Sequence, residues 1–190
     1  MFVSGPRLVV FVLVAVLVSG CTAAAPAPRH HPAGASVGGS FNGTDVAWLQ
    51  LAEALHTRAL PLLELAPGRT ASRPLADLAA RIGRKHQTGR GRLRALLAEA
   101  RVGGENPHAA HDMPGMPTAA DLRALKGLRD DAFDRRFSAL LRVYLDQLVL
   151  VARGEQNAGG ASSARELAAA MERAHVAELA ALDGIGVAAG

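Results

Sequence analysis

Apolar positions recur with helical period from Phe41 onward. Leu49, Ala52, His56, Ala59 and Leu63 fall at i, i+3, i+7, i+10 and i+14, one face of a helix. Thr44 or Asp45 is placed to cap its start, and Pro67-Gly68 ends it. Pro74 opens a second helix at a first-turn position. Its stripe is Leu75, Leu78, Ile82, His86, Leu93 and Leu96. Gly89 and Gly91 weaken the middle by roughly 1 kcal/mol each relative to Ala. Val102 to Pro117 reads as loop. A short helix is predicted from Thr118 to Leu128, where Thr118-Ala-Ala-Asp121 has capping-box spacing with Asp in place of Glu. A third long helix is predicted from Phe133 to Arg153, with Phe137, Leu140, Leu141, Tyr144, Leu148 and Val151 inward. Gly159-Gly160 breaks the chain. Ser162 or Ser163 then starts a fourth helix through about Leu182, carrying Leu167, Met171, His175, Leu179 and Leu182.

The second pair of helices repeats the first at a shift of 89 residues without a gap. Asp45 matches Asp134, Trp48 matches Phe137, and Leu51 matches Leu140. Leu78-Ala79-Ala80 matches Leu167-Ala168-Ala169, Ile82 matches Met171, His86 matches His175, and Leu93 matches Leu182. A duplicated amphipathic hairpin buries its two apolar faces against each other. The expected fold is therefore all-α: a four-helix bundle spanning 41–185, built from hairpins 41–100 and 132–185 with a connecting segment 101–131.

The chain before this domain has another character. Arg7 precedes an apolar run from Leu8 to Val18, 11 residues long. A helix across a bilayer core needs about 20, so residues 1–20 read as the signal peptide of an exported protein. Val18-Ser19-Gly20-Cys21 resembles a bacterial lipobox. That resemblance implies cleavage before Cys21 and acylation of its thiol and new amine. Two or three acyl chains then anchor the protein stably to membrane lipid on the extracytoplasmic side. Residues 21–40, rich in Ala, Pro, Gly and Ser, form a flexible tether. His30 and His31, isolated within it, read as incidental.

Composition narrows the function. The chain of 190 residues is 49% hydrophobic with 4% aromatics, so it can bury a core but offers little for strands. Net charge is +4, and only Lys85 and Lys126 accompany 19 arginines, scattered among acids without stacking aromatics. That pattern excludes a nucleic-acid surface. Cys21 is the only cysteine, so there is no internal disulfide, no Cys-cluster zinc site and, after acylation, no catalytic thiol. Neither G-x-S-x-G nor H-E-x-x-H occurs, and no catalytic constellation is expected.

Two sets of residues could hold a metal. In the connecting segment, His108, His111, Met113 and Met116 place imidazoles and thioethers within nine residues. Thioether sulfur is soft and favours Cu(I), while imidazole suits copper and zinc. In the bundle, His56, His86 and His175 each lie on an apolar stripe. They are expected either as core histidines bonded to Tyr144, Glu178 or Gln87, or as a residual copper or zinc site. Glu53-x-x-His56 and Glu172-x-x-His175 have the spacing of di-iron ligands, but the partner glutamates that such a site needs are missing.

Phe41-Asn42-x-x-Asp45-Val46-x-Trp48-x-Gln50, a histidine mid-helix, Leu78-Ala79 with Gln87 downstream, the Met113-Pro-Gly-Met116 segment and Phe133-Asp134-Arg135-x-Phe137 together resemble the bacterial domain of unknown function 305 family, over residues 41–185. The resemblance implies an exported, ferritin-like four-helix bundle, copper-binding in some members. The family's Met-rich turn and paired histidines on the first helix of each hairpin read here as Leu51-Ala52 with Leu55-His56, and as Leu140-Leu141 with Tyr144-Leu145. Most of that ligand set has been replaced by residues able to fill a core. Two readings follow: a membrane-anchored lipoprotein that binds or buffers copper without catalysis, or a metal-free structural or interaction lipoprotein that kept the fold. A di-iron-type oxidase is a third. The sequence names no protein partner.

Overall fold

A computed structural model describes residues 41–188. The expected signal peptide and tether, with Cys21 and His30-His31, lie outside the described residues. Every regular element within them is helical: α1 (Gly43–Leu65) continued by a 3₁₀ turn (Ala66–Gly68), α2 (Arg73–Glu99), α3 (Ala119–Lys126), α4 (Asp130–Ala158) and α5 (Ser162–Ala188). No helix among them is long and apolar enough to cross a membrane.

The caps explain the helix boundaries. Asn42, rather than Thr44 or Asp45, caps α1: its Oδ1 accepts from the Thr44 and Asp45 N–H groups at 2.8 and 3.0 Å. Asp45 completes the capping box by accepting from the Asn42 N–H. Ser72 caps α2 ahead of Pro74, and Thr118 with Asp121 forms the expected box at α3. Helix α4 begins earlier than Phe133 and runs beyond Arg153. Asp130 and Asp131 occupy its first turn, where acids favour the positive end of the helix dipole. The Asp130 N–H donates to the Arg69 carbonyl at 2.8 Å, tying that start to the end of the first hairpin's turn. Helix α5 likewise outruns Leu182. Adding the 89-residue shift to the limits of α2 gives those of α5, so the repeat holds in structure for the second helix of each hairpin.

Helix α1 packs along α2 and α4 along α5, while α1 also meets α4 and α2 meets α5. This places the helices around a square in the order α1, α2, α5, α4, a four-helix bundle. Two apolar clusters fill it. One gathers Leu55, Leu62, Leu78, Ile82, Phe133, Phe137, Leu141, Tyr144 and Leu145; the other gathers Phe41, Trp48, Leu49, Leu93, Leu167 and Met171. Each fully buried Leu or Phe contributes about 1.5–3 kcal/mol of transfer free energy. The buried face of α4 is wider than the predicted stripe. Phe133, Leu145, Val149 and Ala152 join it, while Leu140 and Val151 are half-buried. The extra width follows from α4 touching α1, α3 and α5 at once.

The connecting segment is held by a turn. The Met116 N–H donates to the Met113 carbonyl at 3.0 Å across Pro114-Gly115, and Gly115 has φ +80°. Pro at the second position and a left-handed Gly at the third define a type II turn. It seats Met116 in the core, 5% exposed, and packs Met113 against the same cluster. A side chain at Gly115 would run into Gln147, so that glycine is fixed by space as well as conformation.

Candidate metal centre

Three helices each deliver one histidine to the same interior point, and the fourth delivers Tyr144. His56 (α1), His86 (α2) and His175 (α5) are buried. The rings of His56 and His86 stack face to face, centroids 4.1 Å apart and 8° from parallel. His175 meets both edge-on at 5.7 Å. Gly89, one helical turn beyond His86, makes room for this arrangement. A Cβ there would lie 3.1 Å from His56 and 3.1 Å from the Met171 methyl. The methionine thus closes over the same spot. Together these residues line a cavity of about 320 Å³ between α2 and α5, whose rim carries Arg84, Lys85 and Arg92.

The three rings are held differently. His86 Nε2 lies 2.6 Å from the Tyr144 hydroxyl. Burial, and next the charge of Glu178, push the Tyr144 hydroxyl far above its usual range, so it stays a phenol. His175 Nδ1 lies 3.0 Å from Glu178 Oε2, and Glu178 Oε1 accepts from Lys85 Nζ at 3.1 Å. These are two of the three partners expected from the sequence; Gln87 is exposed. His56 has no partner at either nitrogen, and His86 has none at Nδ1. Burial, reinforced by His175, drives His56 down to about 3. Burial together with His56, His175 and Lys85 holds His86 well below its ordinary value. Both rings are therefore neutral at physiological pH, each with one N–H and one lone pair. A buried polar atom left without a partner costs about 1–3 kcal/mol.

Neutral His56 offers one unpartnered lone pair beside the Met171 thioether, and His86 offers one at Nδ1 in the tautomer whose Nε2–H donates to the Tyr144 oxygen; nitrogen and thioether donors suit a soft cation. Among the described residues, however, no three His, Cys, Asp or Glu side chains are arranged to hold a metal ion as they stand. The stacked rings would have to turn to share an ion.

The other candidate ligands are dispersed. The turn buries Met116, while Met113 and His108 are half-buried and His111 exposed. The carboxylates of the two Glu-x-x-His motifs face cations instead. Glu53 is bound by Arg94 at 2.6 Å and by Thr57 and Asn106 at 3.2 Å each. Burial raises the Glu53 carboxyl, but these bonds outweigh it and hold the value below the ordinary one. Glu172 pairs with Arg153 at 2.6 Å and Gln156 at 2.7 Å.

Sequence reasoning missed a pair of buried carboxyls at the α4–α5 turn. Asp45 accepts from the Ala161 and Gly160 N–H groups at 3.0 and 3.2 Å and also contacts Glu155. Neither Glu155 oxygen has a donor. Burial, and then the neighbouring Asp45, push Glu155 up to about 8. Burial also raises Asp45, but its bonds to Asn42, Glu155, Ala161 and Gly160 carry it below its ordinary value. One proton shared between the two carboxyls satisfies both. Glu155 stands four residues before Gly159, which was the available signal: a side chain at Gly159 would overlap the Glu155 carboxyl.

A family model described as domain of unknown function (DUF305) matches residues 45–185. Two solved structures share the fold. A DUF305 fragment from Deinococcus radiodurans is 19% identical with a TM-score of 0.68, covering 77% of this chain and 97% of its own. A DUF305 protein from Streptomyces coelicolor, designated a candidate secreted protein, is 21% identical with a TM-score of 0.64, covering 73% and 89%. No curated relative matches.

Proposed function

The chain belongs to the DUF305 family, and from that membership and the unpaired interior imidazoles we propose that it is an exported, lipid-anchored protein that binds or buffers a soft metal ion, copper foremost, without catalysis. The observation that carries this reading is the set of orphaned nitrogens on His56 and His86 beside Met171. Lone pairs buried at a cost find their partner in a cation. His56, His86 and His175 would hold the ion with help from Met171, and bound copper would supply a soft, redox-capable centre. The burial of His56 and His86 keeps those two imidazoles neutral, and Glu178 orients the His175 ring through its Nδ1.

Copper(I) titration of the mature protein against a competing chelator tests the site. His56→Ala/His86→Ala/His175→Ala is expected to lower affinity at least tenfold. A variant with His108, His111, Met113 and Met116 all changed to Ala is expected to retain it. No copper uptake by the wild type, or loss only in the second variant, refutes the interior assignment.

Export and anchoring rest on the hydrophobic leader and the lipobox at Cys21, with support from the secreted designation of the Streptomyces relative. Membrane lipid is the partner they imply, and the scattered charge argues against nucleic acid. Incorporation of labelled palmitate, abolished in Cys21→Ser, is the expected result; equal release of both forms into the medium contradicts it. The second reading, a metal-free structural or interaction lipoprotein, is favoured by the Tyr144–His86 and Glu178–His175 bonds, which partner two of the three rings within the protein.

A further inference from the structure

We propose that the cavity between α2 and α5 binds a small hydroxyaromatic acid, with its carboxylate at Arg84 and Arg92, its ring against α5 and its hydroxyl on His56. The proposal stands apart from the metal reading, since a hydroxyl and a cation are alternative partners for the same nitrogen. The mouth of the cavity is cationic. Arg84, Thr88 and Arg92 follow at i, i+4 and i+8 on α2, exposed and on one face. Their neighbours Lys85, Arg90 and Arg94 each bond a carboxylate, either Glu178 or Glu53. Arg84 and Arg92 bond none among the described residues. Glu178, the one carboxylate in the lining, is already held by Lys85 and His175. An anion arriving at the mouth therefore meets two free guanidinium groups, whose planar donors match a carboxylate.

The wall is apolar and leaves room. Leu167, Ala170, Met171 and Ala174 line it from α5 at i, i+3, i+4 and i+7. Ala170 and Ala174, with Gly89 on α2, carry little or no side chain, and the space they leave is about 320 Å³. Small-ligand sites run to about 300–1,000 Å³. A thioether such as that of Met171 packs favourably on an aromatic ring. The floor, by contrast, is polar and unsatisfied. His56 is 2% exposed and has no partner at either nitrogen. Its Nδ1 lies 3.1 Å from the position a Cβ would take at Gly89, so it faces the gap that the glycine leaves. The neutral ring holds one N–H and one lone pair, and a hydroxyl both donates and accepts, so it matches either tautomer. A carboxylate is drawn to the rim instead, because a neutral imidazole offers it no charge.

Calorimetric titration of the detergent-solubilised mature protein, freed of metal by chelation, tests this with 4-hydroxybenzoate as the probe. The wild type is expected to bind it about tenfold more tightly than benzoate, which lacks the hydroxyl, or phenol, which lacks the carboxylate. Arg84→Gln/Arg92→Gln should lose about tenfold for 4-hydroxybenzoate and leave phenol unchanged. Arg81→Gln removes an exposed arginine outside the lining and should leave all three probes unchanged. His56→Leu should bind 4-hydroxybenzoate and benzoate alike, and Ala174→Leu, which fills the gap, should bind neither. Helical content by circular dichroism qualifies each variant. No binding by the wild type, equal affinity for the three probes, or an equal loss in Arg81→Gln overturns the proposal. Copper uptake without binding of 4-hydroxybenzoate sinks the acid alone, and binding of the acid without copper uptake sinks the metal reading alone.

Discussion

Replacing Glu155 by Gln should stabilise the bundle in alkali and leave it nearly unchanged in mild acid. In the folded chain the Glu155 carboxyl titrates near 8 against an ordinary value of 4.5, because it is buried beside Asp45. Between those values the native state holds a proton that the unfolded chain has released. Native stability therefore falls as pH rises through this window. At about 1.4 kcal/mol per pH unit, the full interval sets a ceiling of about 5 kcal/mol. Asp45 is held low by the same contact and offsets part of this, so about 1–3 kcal/mol is expected at pH 8.5. Gln keeps the shape and offers Asp45 an N–H that does not titrate. Urea unfolding of wild type and Glu155→Gln from pH 5 to 9 gives the measurement. The curves should meet near pH 5 and diverge above pH 7, with the variant more stable. Parallel curves over the whole range refute the shared proton.

Three further outcomes follow from the packing. Tyr144→Phe leaves the buried His86 Nε2 without its partner and should cost about 1–3 kcal/mol in chemical denaturation; an unchanged midpoint would mean that the bond is not formed in solution. Met116→Ala empties a core position under the type II turn and should cost about 2–4 kcal/mol with copper capacity unchanged, whereas loss of copper with full stability would return the connecting segment to the role of ligand. Gly89→Val projects a side chain against His56 and Met171, so it should lower copper affinity even where helical content by circular dichroism is retained; unaltered affinity would place the ion elsewhere.

Much of the fold could be read along the chain. The stripe from Leu49 to Leu63 is buried throughout, because one face of an isolated amphipathic helix has nowhere else to go. The repeat was equally plain, although the shared limits of α2 and α5 came only with the structure. The site was legible only in parts. His56, His86 and His175 lay visibly on apolar stripes, and Tyr144 and Glu178 could be named as partners. Which histidine met which partner could not be told. For His86 and Tyr144, 58 residues apart in the chain, that depends on the rotation of each helix about its own axis. The Met/His segment misled for a local reason: Pro114-Gly115 specifies a turn, but only contact with the bundle reveals that the turn drives Met116 inward.

Sequence alone determined an all-α duplicated hairpin, its approximate limits and the residues able to carry chemistry, since periodicity and turn residues act within a few positions of themselves. Tertiary packing decided the rest. It brought one ring from each of four helices to a common point, left His56 without a partner, paired Asp45 with Glu155 across the bundle, and turned Met116 of the connecting segment into core. Each of these is a meeting of residues distant in the chain, fixed by how apolar faces interlock rather than by any local preference.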